Sequence, residues 1–190
     1  IIAMGASVGG PKTIKNILHE LPPNLSCPVL IVQHLHPKFI RSFVDNLDRV
    51  CQLEVKVAQD GEKIQKGVVY VSPGKRHMTI KRRVEDFYIQ LSKGNPVNFC
   101  IPSIDVLFAS VAKHFSRNAM AVLLTGMGQD GVRGIEVIKR RGGLTIAESK
   151  STSIVYGMPK SAAEKGFADK ILPNYEIKDL IIKFSGRERS

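Results

Sequence analysis

The fold is decided by the opening stretch Ile1-Ile2-Ala3-Met4-Gly5-Ala6-Ser7-Val8-Gly9-Gly10-Pro11, where an apolar run leads into a glycine-rich loop. We predict a buried strand over Ile1 to Ala6, because this run is apolar throughout. A helix is predicted over Pro11 to Glu20, since proline suits a first helical turn, where its missing amide proton has no partner. A strand that enters a helix through a tight loop is typical of parallel α/β sheets.

Strands and helices continue to alternate along the chain. Polar and apolar residues alternate on both sides of Val84-Glu85-Asp86, which predicts a β-hairpin over 78–93. The fold class indicated is α/β, a doubly wound, mostly parallel sheet with helices on both faces and an antiparallel hairpin. We expect the polar tail from Ser185 to be frayed. The other predicted strands are 28–33, 54–58, 68–72, 119–125, 144–148 and 168–171, and the other predicted helices are 38–50, 103–115, 131–141, 159–165 and 174–184.

The length of 190 residues suits one compact domain, so we expect 1–190 to form a single domain. The chain opens inside an apolar run without an initiator methionine, and we expect it to be a fragment of a longer protein. No run is apolar enough to span a membrane, and no signal peptide is visible.

The three cysteines, Cys27, Cys51 and Cys100, are widely spaced, which argues against a zinc site and favours a reduced, cytoplasmic setting.

The net charge is +11, from 28 basic and 17 acidic residues. Such an excess implies attraction to an acidic partner, which is a nucleic acid, an anionic membrane surface or an acidic protein. The basic residues are scattered, and the chain has no tryptophan and few other aromatic residues to stack on bases. Nucleic-acid binding is therefore poorly supported, although a non-enzymatic basic binding module remains an alternative.

The loop Gly5-Ala6-Ser7-Val8-Gly9-Gly10 matches the pattern G-x-S-x-G. Glycines on both sides allow a serine to sit on a tight turn with its hydroxyl exposed and backbone amides nearby. A phosphate-binding loop is disfavoured, because Pro11 stands where that motif has its lysine. A plain turn with Ser7 as a helix cap is the competing interpretation.

His34 follows the second predicted strand, where it can act as a general base towards Ser7 or simply pack at the surface. His36 precedes a proline and is expected to lie further out. The two histidines would suit a metal, but the spacing suggests no third ligand.

The loop Thr125-Gly126-Met127-Gly128-Gln129-Asp130-Gly131 matches G-x-G-x-x-G. This pattern, with Glu148 as a ribose-binding acid, supports the alternative function of a dinucleotide-binding enzyme that uses Gly126–Gly131. However, the charge of Asp130 would repel a pyrophosphate. The same carboxylate suits a group that orients a histidine, or a helix cap.

Ligands of parallel α/β sheets bind beyond the carboxyl ends of the strands. Because all three loops follow strands, we predict that Ser7, His34 and Asp130 meet there as a catalytic triad. Their chain order, Ser–His–Asp, differs from the Ser–Asp–His order of α/β-hydrolases.

The loops, taken together with further motifs, resemble the catalytic domain of the chemotaxis protein-glutamate methylesterase family (CheB). The resemblance covers essentially the whole chain in order. The matching stretches begin with Gly5-Ala6-Ser7-Val8-Gly9-Gly10, Val32-Gln33-His34 and Thr125-Gly126-Met127-Gly128-Gln129-Asp130-Gly131, and continue with Ser72 to His77, Pro102 to Phe108 and Tyr156 to Pro159.

The resemblance implies a serine hydrolase that removes methyl groups from glutamyl methyl esters of chemotaxis receptors and deamidates receptor glutamines. It places the triad on Ser7, His34 and Asp130, and the oxyanion-hole amides on Val8 and Met127. It implies no metal or organic cofactor, no nucleic-acid partner and no membrane insertion. The expected partners are receptor helices and an upstream receiver domain.

The chain departs from the family pattern at two positions, Val8 and Ile101. Val8 replaces a small or hydroxyl residue, which leaves a backbone donor intact. Ile101 replaces an arginine that often precedes Pro102 in the family, so any role of that arginine is vacant or is filled by another basic residue.

Overall fold

The computed structural model describes residues 1–186 as a central sheet with helices on both sides. Residues 187–190, part of the tail expected to be frayed, lie outside the described residues. The strands are β1 (Ile2–Ala6), β2 (Val29–Gln33), β3 (Glu54–Val57), β4 (Val68–Val71), β5 (His77–Arg83), β6 (Asp86–Ser92), β7 (Met120–Leu123), β8 (Leu144–Glu148) and β9 (Lys170–Leu172). The helices are α1 (Gly10–Leu18), α2 (Pro37–Val50), α3 (Ile104–Phe115), α4 (Val132–Arg140), α5 (Met158–Glu164) and α6 (Asn174–Ser185), with a 3-10 turn at Ser116–Asn118.

Seven strands form one parallel sheet in the order β3-β4-β2-β1-β7-β8-β9. Strands β5 and β6 pair separately as an antiparallel hairpin. The predicted fold class is thereby confirmed, including the hairpin. The predicted element ends agree to within about two residues, as expected for boundaries that fray. The short 3-10 turn after α3 was not predicted.

The sheet is buried on both faces, which explains why its strands are nearly continuous apolar runs. Helices α1, α2 and α6 cover one face. Helices α3, α4 and α5, together with the hairpin, cover the other. Each helix turns an apolar stripe to the sheet; in α1 the buried positions include Thr13, Ile14, Ile17 and Leu18, which are spaced as one helical face.

The strand order reverses at β1, which lies at the centre of the sheet. From β1 the chain builds outward through β2 on one side, and later through β7 on the other. A crevice forms at such a reversal, beyond the carboxyl ends of the strands, and it is the usual ligand site of open α/β sheets. Among the described residues, we find no helix with the length and apolar character needed to cross a membrane.

Candidate active site

Ser7 lies in the tight turn that joins β1 to α1. Its amide donates a hydrogen bond to the carbonyl oxygen of Thr125 at 3.0 Å, and its carbonyl accepts one from the amide of Gly10 at 2.9 Å. Gly9, the third residue of this turn, has φ of 85°, a left-handed conformation that glycine adopts without strain. The pattern G-x-S-x-G therefore produces the predicted turn, with Ser7 half-buried at its start.

His34 lies beside this turn because β1 and β2 run parallel in register. Ala6 pairs with Gln33, and the amide of His34 donates to the carbonyl oxygen of Ala6 at 2.9 Å. The side-chain amide of Gln33 donates to the carbonyl oxygens of Ser7 at 2.9 Å and of His34 at 3.0 Å. One buried amide group thus ties the backbone of Ser7 to the backbone of His34.

The imidazole of His34 contacts Asp130, which arrives from the loop between β7 and α4. Nε2 of His34 lies 2.9 Å from Oδ2 of Asp130, and the two side chains are 16% and 3% exposed. An ionised carboxylate only accepts hydrogen bonds, so Nε2 is the donor. The other ring nitrogen, Nδ1, therefore keeps a free electron pair in the neutral ring. Nδ1 lies 3.8 Å from the Sγ atom of Cys100.

Asp130 accepts hydrogen bonds from four groups besides His34. They come from the first turn of α3 and from a neighbouring turn: Ser103 Oγ at 2.7 Å, the amides of Ile104 at 2.7 Å and Asp105 at 3.2 Å, and Asn98 Nδ2 at 3.1 Å. The carboxylate thus occupies the amino end of α3, where the helix dipole favours an anion. It does not cap α4, whose N-cap is Gly131.

These contacts set the protonation state of Asp130. Burial alone would raise the pKa of its carboxyl group, but the hydrogen bonds from His34, Ile104, Ser103 and Asn98 outweigh burial and hold the pKa below its ordinary value. Asp130 is therefore an anion at neutral pH, as a partner of the imidazole must be.

Asn98 connects Asp130 to a second buried carboxyl group. Its side-chain amide donates to Asp130 and, at 2.7 Å, to Asp105 Oδ2, while the amide of Gly134 donates to Asp105 Oδ1 at 2.6 Å. Burial, as the largest cause, raises the pKa of Asp105. Asp105 therefore helps to fix α3 and α4 against each other, and we assign it no direct chemical role.

His77 and Ser103 extend the network by one layer. The amide of Ser103 donates to Nδ1 of His77 at 3.2 Å, and Nε2 of His77 contacts the carbonyl oxygen of Asn95 at 3.0 Å. Ser103 also caps α3 as predicted, because its hydroxyl accepts from the amide of Val106 at 3.4 Å.

A short turn that the sequence did not single out carries both Asn98 and Cys100. Val97 and Cys100 exchange two backbone hydrogen bonds of 3.2 and 3.0 Å. Asn98 and Phe99 between them have φ of 50° and 62°, as in a type I′ turn. The dipeptide Asn-Phe gives no strong signal for this turn, since its usual second residue is glycine. The turn places Asn98 on the carboxylates and leaves Phe99 fully exposed.

Val8 and Met127 lie in the two loops that flank Ser7. A Cβ atom built on Gly126 would lie 2.7 Å from the Cβ atom of Ser7, so the loop that carries Met127 approaches the serine closely. Within residues 1–186, the amides of Val8 and Met127 donate no hydrogen bond. Both side chains are exposed, which is compatible with roles confined to the backbone.

Glu148 is not placed to bind a ribose. It is fully buried and accepts hydrogen bonds from the amide of Thr125 at 2.8 Å, from Thr152 Oγ1 at 2.9 Å and from Asn174 Nδ2 at 3.3 Å. Its carboxylate therefore fixes the start of the loop after β7 by accepting from the amide of Thr125. This use of Glu148, together with the buried Asp130 among the glycines, argues against the dinucleotide-binding alternative.

Ser7, His34 and Asp130 lie at one rim of the sheet, next to the strand-order reversal. Sequence spacing did not indicate Asn98 and Cys100, which come from a distant segment. Nor did it assign a task to Gln33, although Gln33 belongs to one of the recognised motifs. The arrangement provides an imidazole with an anionic partner on Nε2 and an electron pair on Nδ1, which faces the Cys100 thiol at 3.8 Å, and the serine turn lies beside it. This is the chemistry of a nucleophilic hydrolase.

Comparison with known proteins finds relatives over nearly the whole chain. The family model described as CheB methylesterase matches residues 2–181. A protein-glutamate methylesterase/protein-glutamine glutaminase of Archaeoglobus fulgidus is 41% identical over 183 residues, which are 96% of this chain and 52% of that protein. One of the same name from Salmonella typhimurium is 44% identical over 173 residues, 90% of this chain and 49% of the relative.

A solved structure is similar over nearly its whole length. The crystal structure of the Thermotoga maritima CheB methylesterase catalytic domain matches with a TM-score of 0.94 at 39% identity, over 96% of both chains. By contrast, this chain spans about half the length of the curated relatives it matches.

Proposed function

This chain belongs to the CheB methylesterase family, and from that premise we propose that it is a protein-glutamate methylesterase with Ser7 as nucleophile, His34 as general base and Asp130 as its anionic partner. The substrate is a γ-glutamyl methyl ester on a helix of a chemotaxis receptor. The products are methanol and the free glutamate side chain.

The observation that carries the proposal is the contact of 2.9 Å between His34 and Asp130 at the rim where β1 delivers Ser7. An imidazole with a buried anion on Nε2 is held as the tautomer whose Nδ1 accepts a proton. The residues that precede Ser7 and His34, which are Ala6 and Gln33, pair in register, so the histidine lies beside the serine turn.

The reaction proceeds in two halves. Nδ1 of His34 takes the proton of Ser7 while Oγ attacks the ester carbonyl, and Asp130 stabilises the imidazolium that forms. Collapse of the tetrahedral intermediate breaks the bond to the methoxy oxygen, which leaves as methanol with the proton from His34. Water, deprotonated by the same nitrogen, then cleaves the acyl-enzyme and releases Ser7.

The negative oxygen of the intermediate requires donors that are otherwise unpaired. The amides of Val8 and Met127 meet this condition in the described part of the chain, and they belong to the two loops that enclose Ser7. We assign the oxyanion hole to these two amides. A glutamine side chain fits the same steps with ammonia as the leaving group, so receptor glutamine deamidation is part of the proposal.

Four exposed apolar side chains lie in the loops next to Ser7, His34 and Asp130 and suit contact with a receptor helix. They are Val8 at 51%, Phe99 at 103%, Met127 at 76% and Ile154 at 60% exposure. Apolar groups gathered around a polar site are a usual feature of protein-binding surfaces.

We further propose a cytoplasmic enzyme whose full-length form carries an upstream receiver domain. No step of the reaction calls for a metal or an organic cofactor.

The test is methanol release from methylated receptor fragments. Wild-type protein is expected to release methanol, and Ser7→Ala is expected to release none above background. Ser42→Ala is a matched control, because it removes an exposed hydroxyl from α2, away from the site. Equal release by wild type and Ser7→Ala would show that Ser7 is not the nucleophile.

A further inference from the structure

Cys100 is a thiol beside the proposed active site that the reaction does not use. Its Sγ atom lies 3.8 Å from Nδ1 of His34, the nitrogen assigned as the base. One ligand atom from each of His34, Cys100 and Asp130 lies within 4.8 Å of the other two. Sequence spacing did not predict this cluster of three side chains, because they come from three separate loops.

We propose that Cys100 and His34 form a binding site for a thiophilic divalent ion, Zn²⁺ by ligand preference, and that the bound ion blocks hydrolysis. The proposal that the ion binds rests on the geometry of these side chains alone. The inhibition rests on the proposed function, because it requires His34 to be the general base.

The distance between the two ligand atoms fits a single metal ion. Zinc bonds of about 2.3 Å to sulfur and about 2.0–2.1 Å to nitrogen, at a tetrahedral angle, separate the two ligand atoms by about 3.6 Å. The observed separation is 3.8 Å. Both ligands can therefore reach one ion with a displacement of a few tenths of an ångström.

The other nitrogen of His34 already has the partner that zinc-binding histidines usually have. Histidines that bind metals generally donate their second ring N–H to a carboxylate, which fixes the tautomer and makes the free nitrogen more basic. Asp130 accepts this hydrogen bond at 2.9 Å. Four further donors hold Asp130 in place, so it serves as the outer partner while water completes the coordination.

The ligand types select the ion. A thiolate and an imidazole favour Zn²⁺, Co²⁺ or Cd²⁺, whereas Mg²⁺ and Ca²⁺ prefer oxygen ligands. On binding, the Cys100 thiol releases its proton to solvent and sulfur bonds to the metal as a thiolate. The metal takes up the electron pair of Nδ1, so that pair is no longer available to deprotonate Ser7.

Cobalt provides a direct test of the ligands. The 190-residue chain, kept reduced and titrated with Co²⁺, is expected to develop the near-ultraviolet charge-transfer band of a thiolate–cobalt bond. Cys100→Ser is expected to lose the band, and Cys51→Ser is expected to keep it. Cys51 is a matched control, since it is also a free, half-buried cysteine but does not belong to the His34 group.

Competition with a chromophoric chelator measures the zinc affinity, and so the contribution of each residue to zinc binding. We expect Cys100→Ser to weaken Zn²⁺ binding at least about tenfold, and Asp130→Asn, which alters an outer partner, to weaken it about 10- to 100-fold. Protection of Cys100 from alkylation by Zn²⁺ in the wild-type chain, mapped by mass spectrometry, checks the site without any substitution.

The outcomes separate binding from inhibition. Absence of the cobalt band in wild type, its retention in Cys100→Ser, or alkylation of Cys100 unaffected by Zn²⁺ would overturn the metal site. If Zn²⁺ binds at Cys100 but methanol release stays unchanged, the inhibition is wrong. If Ser7→Ala and wild type release methanol equally, the hydrolase assignment fails, while the cobalt spectrum still decides the metal site.

Discussion

Gln33 determines how the proposed nucleophile and base are placed relative to each other. It is 1% exposed, and its side-chain amide donates to the backbone of both Ser7 and His34. Gly10 packs against this side chain so closely that a Cβ atom at position 10 would overlap the amide oxygen. We therefore propose that Gln33 is a positioning residue, which acts through the backbone of Ser7 and His34.

We expect Gln33→Met to lower kcat by about ten- to a hundredfold with little change in KM. Methionine fills a similar volume but removes both hydrogen bonds, and the loss of two such bonds, about 1–3 kcal/mol, is expected to disturb the geometry of proton transfer. The measurement is kcat and KM for methanol release, with thermal unfolding in parallel. A fall in melting temperature with unchanged kcat would contradict a positioning role.

The sequence pointed to Ser7 and His34 because each follows a strand directly, and to Asp130 because its loop follows β7. Strand ends converge in a parallel sheet, so proximity follows from the pattern. Asn98 and Cys100 have no such signal. They reach the site through a turn in which Asn98 and Phe99 are left-handed. Neither residue is a glycine, so the sequence gives no sign of this turn. The task of Gln33 was equally hidden, because a buried glutamine within an apolar strand gives no indication of what it bonds.

At the scale of elements, the site depends on the amino end of α3 (Ile104–Phe115). The sequence predicted that helix and its cap Ser103, but it suggested Asp130 as a possible cap of its own helix, α4. The structure instead directs Asp130 at the first amides of α3. Such a contact between distant elements depends on how α3 and α4 pack, which periodicity in either helix does not reveal.

The loop between β7 and α4 has to approach Ser7 closely, and Gly126 permits this. We expect Gly126→Ala to lower kcat more than tenfold, because the added Cβ atom would lie 2.7 Å from the Cβ atom of Ser7 and 2.7 Å from Cε of Met158. Gly186→Ala is the matched control, since its nearest neighbour would be 3.7 Å away. The same assay of kcat, with circular dichroism to confirm folding, checks both variants. Full activity of Gly126→Ala would contradict the close approach.

At the scale of the whole molecule, three buried carboxyl groups have opposing effects on stability in acid. The pKa of Asp130 is lowered, so its contribution is complete above the unfolded-state pKa of about 3.9 and is lost as the pH falls through its folded-state pKa. Burial raises the pKa values of Asp105 and Glu148, so the folded state holds their protons more tightly than the unfolded state does. Their ionisation at neutral pH therefore lowers the free energy of unfolding, and their protonation in acid raises it.

We expect Asp130→Asn to be less stable than wild type at pH 7, with a gap that narrows as the pH falls below about 4. The reason is that wild type then loses the contribution that the variant already lacks. Urea unfolding at several pH values measures the gap. Asp45→Asn, at an exposed ion pair of α2, is the control and is expected to have a small effect throughout. A gap for Asp130→Asn that stays constant with pH would contradict the lowered pKa.

We expect the net charge of +11 to act on the encounter with the proposed substrate rather than on the chemistry. The positive charge implies an acidic partner, and we propose that the receptor helix is acidic and that the basic enzyme surface accelerates its approach. Salt screens this attraction, because the Debye length falls from about 30 Å at 0.01 M to about 8 Å at 0.15 M ionic strength. The proposed proton transfers occur between groups in contact and are screened much less.

We therefore expect kcat/KM for acidic receptor fragments to fall as salt is raised, through a higher KM, while kcat stays nearly constant. Initial rates of methanol release at several salt concentrations separate the two parameters. A small uncharged methyl ester is the control substrate, and its kcat/KM should be insensitive to salt because no long-range attraction guides it to the site. A fall in kcat for both substrates would place the salt effect in the chemistry, and a KM independent of salt would mean that the basic charge does not recruit the receptor.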